Sequence, residues 1–289
     1  MVAIKRIEQT LETAIDRASG PGCPPKLAAA MRHAVFPGGA RIRPRLCLAV
    51  AHACGDDRPE LTEAAAAAIE LLHCASLVHD DLPCFDDAAT RRGRPSVHAA
   101  FGEPVAVLAG DAMIVLAFET LARHIGQAPD RVAKLMQAVA QAVGGPSGIV
   151  AGQAWESEPL AVLQTYQRAK TGSLFVAATA CGAAAAGADP VAWHDLGDRL
   201  GEAYQVADDL HDAAASEGEM GKPVGQDAAH HRPSAALELG VSGAVTRLER
   251  LVQGAVEAIP PCRNAGDLEA LVKQEAKRLL PKSLARHAA

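Results

Sequence analysis

The chain has 289 residues, of which 49% are hydrophobic and only 3% aromatic. Its formal net charge of −6 at pH 7 argues against a nucleic-acid-binding surface. Alanine is the best helix former, whereas the β-branched and aromatic residues that sheets favour are scarce, so an all-α protein is expected. Because no change of composition marks a linker and no repeat of 20–50 residues is present, residues 1–289 are expected to form a single domain.

The composition also bears on the cellular compartment. No apolar run reaches the ~18 residues that a membrane span needs, and the N-terminal residues are typical of an amphipathic helix rather than a signal peptide. The seven cysteines are scattered and include no CxxC pair. This pattern favours reduced thiols over a disulfide framework or a zinc site, so we expect a cytoplasmic protein.

Apolar periodicity and the positions of glycine and proline predict the helices in chain order. Apolar residues from Ile4 to Ile15 follow helical spacing. Further helices are expected at about 26–35, 44–54, 61–81, 104–125, 127–143, around 152–156, 163–188, 191–213, 233–258 and 266–280. The basic stretch after residue 90 and the glycine-rich segment 217–227 are expected to be loops.

The stretch from His73 to His98 ends an apolar helix and then offers a cluster of carboxylates, Asp80, Asp81, Asp86 and Asp87. Crowded carboxylates raise one another's pKa unless cations neutralise them, and all-oxygen ligands select Mg²⁺ or Ca²⁺ over zinc. Guanidinium groups suit a phosphate-rich ligand, and three arginines follow directly at Arg91, Arg92 and Arg94. A single acidic pair is more commonly a solvated turn, so the interpretation depends on a second cluster.

The second cluster lies in YQVADDLHD (204–212). Asp208 and Asp212 are four residues apart and share one face of a helix, with Asp209 beside them. Such a pattern alone is usually a solvated face, but this helix is largely apolar. Two acidic helices facing each other across a cavity could hold several Mg²⁺ ions and stabilise a diphosphate as a leaving group. Two lysines could add positive charge to that diphosphate, Lys170 and Lys222.

Seven motifs run through the chain in order: GGARIRP (38–44), DDLPCFD (80–86) with RRGRP (91–95), GDA (110–112), GQ (152–153), KT (170–171), YQVADDLHD (204–212) and GKPVGQD (221–227). In their order and spacing the chain resembles the trans-polyprenyl diphosphate synthase family, whose members make geranyl, farnesyl and geranylgeranyl diphosphates. The resemblance implies the isoprenoid synthase fold, with helices around a deep central cavity, and a homodimer. It also implies head-to-tail condensation of isopentenyl diphosphate with an allylic diphosphate, with three Mg²⁺ ions around the bound diphosphate.

Carried over by position, the resemblance implies a role for each site residue. The main Mg²⁺ ligands would be Asp80, Asp86 and Asp208, supported directly or through water by Asp81, Asp209 and Asp212. The allylic diphosphate would be held by Arg91, Lys170 and Lys222, and isopentenyl diphosphate by Arg43, His73 and Arg92. Oxygens would be presented towards the allylic carbocation, where positive charge develops, by Thr171 and Gln205. The departing diphosphate would remove the proton, because no side chain offers itself as a base.

Several positions depart from the family pattern. Ala40 replaces a lysine that contacts isopentenyl diphosphate, so binding of this substrate is expected to weaken unless Arg41 compensates. Residues 88–89 are alanines where acids are common, with little expected effect. Glu156 stands where an aspartate usually follows the GQ pair, and its extra methylene is expected to be tolerated.

Product length is expected to depend on the residues just before the first acidic motif, because the growing chain should run along that helix towards its N-terminus. Ala75 and Ser76 are both small. In farnesyl-producing relatives with this spacing, a bulky aromatic commonly fills the Ala75 position. The small side chain implies a deeper tunnel and geranylgeranyl diphosphate (C20) as product, with Met113 or Phe118 as a possible floor. A farnesyl diphosphate synthase is the alternative.

Three interpretations from other classes stay open. A non-catalytic, synthase-like regulatory subunit would explain Ala40, although both acidic motifs are intact. An HD-type phosphohydrolase, also all-α, would explain the His-Asp dipeptides that begin at His79, His194 and His211, but it leaves the basic stretch unexplained. A terpene cyclase also uses an acidic helix motif, but it needs no site for isopentenyl diphosphate.

Overall fold

The computed structural model describes residues 2–158, 163–214 and 235–279, and these are mostly α-helical. The helices in chain order are α1 Val2–Ala18, α2 Pro25–Val35, α3 Ile42–Cys54, α4 Pro59–Asp80, α5 Val97–Phe101, α6 Glu103–Ala122, α7 Pro129–Val143, α8 Ile149–Ala154, α9 Leu163–Gln167, α10 Ser173–Ala185, α11 His194–Ala214, α12 Ala235–Glu257 and α13 Ala265–Leu279. A short antiparallel hairpin, β1 Thr90–Arg91 and β2 Arg94–Pro95, is the one sheet in these parts of the chain. The predicted all-α class is confirmed, and the predicted loop 217–227 lies outside the described residues.

Helices α4 and α10 form the centre of the core. The alanine run Ala64–Ala68 of α4 is fully buried, and α10 is buried along most of its length. Helix α4 packs against α3, α6 and α10, and α10 packs in turn against α3, α7 and α11. A Cβ atom at Gly182 would lie 2.4 Å from the carbonyl oxygen of Cys47, so glycine is required where α10 crosses α3. Small side chains therefore set the close spacing of α10 against α3 and the burial of α4, at whose end the first acidic motif lies.

The long helix predicted over 163–188 is interrupted. Helix α9 passes into a π-helical turn, Arg168–Gly172, before α10 begins. Neighbouring glycines make room for this turn. A Cβ atom at Gly152 would lie 2.3 Å from the backbone nitrogen of Lys170, and one at Gly201 would lie 2.6 Å from the Cα atom of Gly172. π-Helical turns are frequent at functional sites, and this one contains the KT motif.

The basic stretch, predicted to be a loop, forms the β1–β2 hairpin. Its register pairs Arg91 with Arg94. The two-residue turn between them consists of Arg92 and Gly93, whose φ angles are both positive, 53° and 73°. Positive φ at both central residues is typical of a type I′ turn, whose twist matches that of an antiparallel hairpin.

Helices α4 and α6 are long and apolar enough to cross a membrane by length and composition alone. In α4, 83% of the apolar window is buried within the protein, and core helices of soluble proteins pass the same test. In α6 only 44% of the window is buried, because one face carries exposed apolar side chains, Val107, Leu108 and Val115. The sequence-based expectation of no membrane span rests on unbroken apolar runs. Acidic residues interrupt the apolar sequence of both helices, so neither contains such a run.

Candidate active site

Helix α4 ends at Asp80, and the following turn folds back onto that end. The backbone N–H of Asp86 donates to the carbonyl oxygen of Asp80 at 2.9 Å, and that of Ala88 donates to the carbonyl oxygen of Asp81 at 3.1 Å. These bonds place Asp86 close enough to Asp80 for its charge to raise the Asp80 pKa further, beyond the larger effect of burial. Two of the carboxylates predicted to bind metal are therefore neighbours.

Asp80 is almost fully buried and contacts an amide and a cation. Gln153 Nε2 donates to Asp80 Oδ1 at 3.2 Å, and Lys170 Nζ lies 3.4 Å from Asp80 Oδ2. Burial raises the pKa of Asp80, and the positive charge of Lys170 opposes that rise. Gln153 also donates to the carbonyl oxygen of Ser76 at 3.0 Å, so it fastens α8 to α4. The sequence alone indicates no role for Gln153 beyond its place in the GQ motif.

Asp81 is paired with Arg91 of the hairpin. Arg91 Nε donates to Asp81 Oδ1 at 3.0 Å, and Nη2 makes a second contact with the same oxygen. Burial raises the pKa of Asp81, and its hydrogen bond with Arg91 opposes this rise. Arg91, which was predicted to hold the allylic diphosphate, is therefore anchored beside the first acidic motif.

Lys170 lies between two carboxylates. Its Nζ is 2.6 Å from Glu156 Oε1 and 3.4 Å from Asp80 Oδ2, and the Tyr166 hydroxyl donates to the same Glu156 oxygen. Burial would lower the pKa of Lys170, but the charges of Asp80 and its other neighbours raise it above its usual value. Glu156, noted from the sequence only as a tolerated change, is a direct ion-pair partner of Lys170.

The second acidic motif, on α11, is joined to the π-helical turn by a series of hydrogen bonds. Thr171 Oγ1 donates to Gln205 Oε1 at 2.9 Å, and Gln205 Nε2 donates to Asp209 Oδ1 at 2.9 Å. The other carboxylate oxygen of Asp209 accepts the first N–H of α12 at 2.7 Å. Because Lys170 precedes Thr171 and contacts Asp80, the two acidic motifs are connected through the π-helical turn.

Asp208 lies on the same helix as Tyr204, four residues away. Burial raises the pKa of the Tyr204 hydroxyl, and the negative charge of Asp208 adds to this rise. Asp208 is therefore near the Tyr204 ring, which in turn lies 5.4 Å from the guanidinium of Arg43. The side chain of Asp212 and the whole of Lys222 lie outside the described residues.

The three residues predicted to bind isopentenyl diphosphate lie close together; Arg43 is buried, and His73 and Arg92 are partly buried. Arg43 Nη1 is 3.5 Å from His73 Nε2, and the Arg43 guanidinium lies 4.6 Å and 5.4 Å from the ring centroids of Phe175 and Tyr204. Burial, followed by the charges of Arg43 and Arg92, holds the pKa of His73 well below its usual value. His73 is therefore neutral at pH 7 and can accept a hydrogen bond from Arg43. In the described part of the chain Arg43 Nε has no hydrogen-bond partner.

Arg41 does not replace the lysine that is absent at Ala40. Its side chain is only 1% exposed, and its donors point into the protein. Nε binds Glu8 at 2.7 Å, Nη1 binds Glu70 at 2.7 Å, and Nη2 donates to the carbonyl oxygen of Val35 at 2.8 Å. The left-handed backbone at Arg41, with φ of 51°, accompanies this inward orientation. Of the two outcomes that the sequence left open, compensation by Arg41 is not supported by these contacts.

The donor chemistry of the first motif suits Mg²⁺, and two of its carboxylates also pair with cations of the protein. Carboxylate oxygens from Asp80 and Asp86 are the ligands that Mg²⁺ prefers. Lys170 pairs with Asp80 and Arg91 with Asp81. Among the described residues, no three His, Cys, Asp or Glu side chains are grouped closely enough to hold a metal ion. A ligand that carries its own oxygens, such as a diphosphate, would complete the coordination.

Two residues without an assigned role fix α4 against α6. His79 Nε2 lies 3.3 Å from the carbonyl oxygen of Val107. A Cβ atom at Gly110, the glycine of the GDA motif, would lie 2.1 Å from the same nitrogen. The histidine that an HD-type phosphohydrolase would place on a metal therefore packs against a helix backbone instead.

Ala75 and Ser76, predicted to set product length, are buried in the last turns of α4. Ser76 Oγ donates to the carbonyl oxygen of His73 at 2.9 Å. Met113 of α6 is fully buried and Phe118 is partly buried in the same apolar core. The structure thus places small side chains beside the first motif, and their effect on product length stays a prediction.

A wide cavity of about 1130 Å³ lies between α7, α10, α11 and α12. It borders Gln205 and Asp209, and the π-helical turn contributes Gly172. Asp80 and Asp86 are not among the described residues that line it. This space is therefore not the central cavity that was expected between the two acidic motifs.

Solved structures place the fold in a known class. Over 96% of this chain and 94% of the other, the protein superposes on a geranyltransferase from Legionella pneumophila with a TM-score of 0.79 and 29% identity. An FPP/GFPP synthase from Zymomonas mobilis matches with a TM-score of 0.77 and 31% identity, covering 95% of this chain and 99% of that one. The fold is that of the isoprenoid synthases, as predicted.

The sequence comparisons identify the family. The Polyprenyl synthetase family model matches residues 24–258, and the chain belongs to this family. A geranylgeranyl diphosphate synthase from Cereibacter sphaeroides is 54% identical, covering 97% of this chain and 98% of that protein. One from Rhodobacter capsulatus is 51% identical, with 96% of each covered. A farnesyl diphosphate synthase from Geobacillus stearothermophilus is 36% identical over 86% of each. The predicted family and enzyme class, a short-chain prenyl diphosphate synthase, are confirmed.

Proposed function

We propose that the chain catalyses head-to-tail condensation of isopentenyl diphosphate with an allylic diphosphate, and that its main product is geranylgeranyl diphosphate. The observation that carries this proposal is the connection between the two acidic motifs. Asp80 contacts Lys170, and the adjacent Thr171 is linked through Gln205 to Asp209. Carboxylates, a lysine and two carbonyl or hydroxyl oxygens in this order are the groups needed to ionise an allylic diphosphate.

Mg²⁺ is the cofactor that these residues fit. Its main ligands would be Asp80, Asp86 and Asp208, with Asp81, Asp209 and Asp212 in support. Three bound Mg²⁺ ions would supply positive charge to the departing diphosphate as Lewis acids. Burial raises the pKa of Asp80, so a nearby cation would stabilise the ionised form of this carboxylate. Lys170, whose Nζ lies 3.4 Å from Asp80 Oδ2, would move to a phosphate oxygen of the allylic substrate once a cation neutralises Asp80. Arg91 and Lys222 would bind the same diphosphate.

The isopentenyl diphosphate binds at Arg43, His73 and Arg92. The guanidinium of Arg43 is buried beside two aromatic rings and forms no ion pair with a carboxylate of the described residues. A bound diphosphate would therefore give this guanidinium its strongest electrostatic partner. Neutral His73 can turn its N–H to a phosphate oxygen without the cost of burying a second charge. Ala40 contributes no charge to this diphosphate, so Arg43 and Arg92 carry its recognition.

The reacting atoms lie against the π-helical turn. Thr171 and Gln205 are hydrogen-bonded to each other, and their remaining oxygen lone pairs would stabilise the developing allylic cation. Positioning the double bond of isopentenyl diphosphate within reach of that cation turns the coupling into an effectively unimolecular step. The departing diphosphate accepts the proton that the coupled product loses.

The C20 product rests on the small side chains at Ala75 and Ser76. Relatives named as geranylgeranyl diphosphate synthases are 54% and 51% identical, against 36% for one named as a farnesyl diphosphate synthase. Purified protein supplied with Mg²⁺, isopentenyl diphosphate and farnesyl diphosphate should yield a C20 diphosphate and should be inactive with EDTA. Products that stop at C15 from shorter primers would show a farnesyl diphosphate synthase, and no product from any primer would show a regulatory subunit.

Ala75→Phe tests the tunnel directly. A phenyl ring beside the first motif should block growth of the chain, so the product should shorten to C15 while turnover of a C10 primer is kept. Ala75→Ser is the matched control and should still give C20. An unchanged C20 product from Ala75→Phe would show that the growing chain runs elsewhere.

The homodimer is proposed to form through α6. Leu108 and Val115 are 56% and 67% exposed on this helix, which is unusual for large apolar side chains that repeat on one helical face. Leu108→Glu with Val115→Glu should halve the mass measured by light scattering. Val191→Glu, at an apolar residue that is 66% exposed elsewhere, is the control and should leave the mass unchanged. A monomeric parent protein would contradict this assembly.

A further inference from the structure

The β1–β2 hairpin needs support from outside itself. Each strand has two residues, and isolated two-stranded hairpins are marginally stable in water. Nevertheless it carries Arg91 and Arg92, one from each diphosphate-binding set. Something in the surrounding structure must therefore hold this hairpin in a fixed position.

A set of hydrogen bonds centred on Arg94 fastens the hairpin to α2 and to the residue that follows it. Arg94 Nη1 donates to the carbonyl oxygen of Phe36 at 2.7 Å, and Nη2 donates to His33 Nδ1 at 2.8 Å. His33 Nε2 lies 2.8 Å from the carbonyl oxygen of Pro95. Because arginine can only donate, His33 accepts at Nδ1 and donates from Nε2, which fixes one neutral tautomer. The His33 ring also packs edge-on against Phe101, with centroids 5.4 Å apart.

These contacts, here called the Arg94 clasp, join the hairpin to the loop that binds the isopentenyl end of the site. Phe36 directly precedes the PGGARIR segment that leads to Arg43. A Cβ atom at Gly39 in that segment would lie 3.2 Å from Arg92 Nε, so the Arg92 side chain rests on the loop. The position of Arg92 relative to Arg43 therefore depends on how the hairpin is fastened to this loop.

Arg91 is held in a different way. It forms a two-pronged ion pair with Asp81 at the end of α4, independently of α2 and of the loop. Loosening the clasp should therefore disturb Arg92 much more than Arg91. Binding of isopentenyl diphosphate should therefore be weakened more than binding of the allylic substrate.

We propose that Arg94 and His33 are positioning residues for Arg92, and that they act selectively on recognition of isopentenyl diphosphate. This inference rests on the proposed function, because it takes Arg92 as a ligand of that substrate. Neither side chain needs to touch a diphosphate for the effect. The clasp acts by keeping the hairpin in register with the 36–43 loop.

Steady-state kinetics of Arg94→Ala tests the inference. We expect KM for isopentenyl diphosphate to rise about tenfold, the effect of losing one charge-assisted hydrogen bond, while kcat and KM for farnesyl diphosphate change less than about twofold. Arg94→Lys keeps the charge but not the two-pronged geometry, so its KM should be intermediate. His33→Phe keeps the contact with Phe101 and should also raise this KM. Arg250→Ala, at an exposed arginine of α12, is the charge-matched control and should match the parent.

Amide hydrogen exchange supplies a second readout. The Ser96 N–H donates to the carbonyl oxygen of Ala89 at 3.0 Å at the open end of the hairpin. In Arg94→Ala this amide should exchange faster than in the parent, while amides in α4 keep their protection. If Arg94→Ala does not fold, the same exchange rate is measured in Arg94→Lys and His33→Phe. An unchanged exchange rate at the Ser96 amide in the variants that fold would refute the Arg94 clasp.

Arg92→Ala separates the inference from the function beneath it. If Arg92→Ala raises KM for isopentenyl diphosphate but Arg94→Ala leaves it within twofold, the clasp is refuted and the proposed function stands. If Arg92→Ala has no effect on that KM, the assignment of Arg92 to the substrate fails and the inference fails with it. Parallel changes in both KM values and kcat for Arg94→Ala would indicate general structural damage and would also refute selective positioning.

Discussion

The two halves of the site balance their charges in different ways. The allylic half consists of residues whose cations and carboxylates are already paired, Asp80, Asp81, Arg91 and Lys170. In the isopentenyl half, which comprises Arg43, His73 and Arg92, the described contacts of Arg43 are an imidazole and two aromatic rings. In the proposed mechanism the first half would exchange internal ion pairs for metal and substrate, whereas the second would pair its positive charge with an incoming diphosphate. Substitutions in the two halves should therefore differ in kind.

The largest effect should come from Asp208, which lies across the site from the first motif in the proposed metal arrangement. Asp208→Ala should lower kcat about 10³-fold, equivalent to about 4 kcal/mol of transition-state stabilisation, with the fold intact by circular dichroism. Glu202→Ala is a control on the same helix, because Glu202 is exposed and pairs with Arg247. Activity of Asp208→Ala within tenfold of the parent would remove this residue from the metal site.

Lys170→Ala should reveal the paired state of the allylic half. Without Lys170, the buried Asp80 and the nearby Glu156 lose a shared cation, so the free energy of unfolding should fall by about 1–3 kcal/mol. Added Mg²⁺ should restore part of this loss, because it supplies the missing positive charge. Thermal unfolding with and without Mg²⁺ measures both effects. Lys273→Ala, which removes an exposed lysine of α13, should change neither value. Equal stability of Lys170→Ala and the parent without metal would contradict the paired state.

The isopentenyl half should respond to pH through His73, whose pKa is lowered chiefly by burial. A folded pKa below the ~6.5 of the unfolded chain means that unfolding takes up a proton, so stability is full above that pH and is lost below it. The loss should be at most about 1.4 kcal/mol per pH unit. His73→Gln cannot titrate, so the stability advantage of the parent over this variant should shrink between pH 7 and pH 5. Urea unfolding at several pH values measures this difference, and a constant difference would show that His73 is not buried neutral.

The smallest effect should come from restoring a cation at Ala40. Ala40→Lys should lower KM for isopentenyl diphosphate about threefold to tenfold, because it adds one charge-assisted contact to a half that Arg41 does not serve. Ala40→Met controls for side-chain length and should leave KM unchanged. A similar KM in both variants would indicate that position 40 does not face the diphosphate.

Much of the fold could be predicted from local signals in the sequence. Pro25 and Pro59 stand in the first turns of α2 and α4, and the predicted helix boundaries there agree with the structure to within about two residues. Proline at these positions fits because its missing N–H is not needed in a first turn. The break at Arg168–Gly172 could not be predicted in this way. A π-helical turn has no residue pattern of its own, and here it depends on glycines from α8 and α11.

In the site, too, local features could be predicted from the sequence and contacts between distant residues could not. The acidic motifs were found because their carboxylates are close in sequence, and the resemblance to a family supplied the rest. The inward orientation of Arg41 could not be predicted, because its partners Glu8 and Glu70 are distant in sequence. The contacts of Gln153 and Glu156 could not be predicted, because their partners Asp80 and Lys170 lie on other helices. Contacts between distant segments were therefore the information that the sequence lacked.

The central claim is that both acidic motifs hold one cluster of Mg²⁺ around one diphosphate. A crystal structure with Mg²⁺ and an unreactive allylic diphosphate analogue would test it most directly. We expect Mg²⁺ ligated by Asp80 and Asp208 through the same diphosphate, with Lys170 Nζ moved from Asp80 to a phosphate oxygen. Metal bound only at the first motif, with Asp208 making no contact with metal or diphosphate, would contradict the claim.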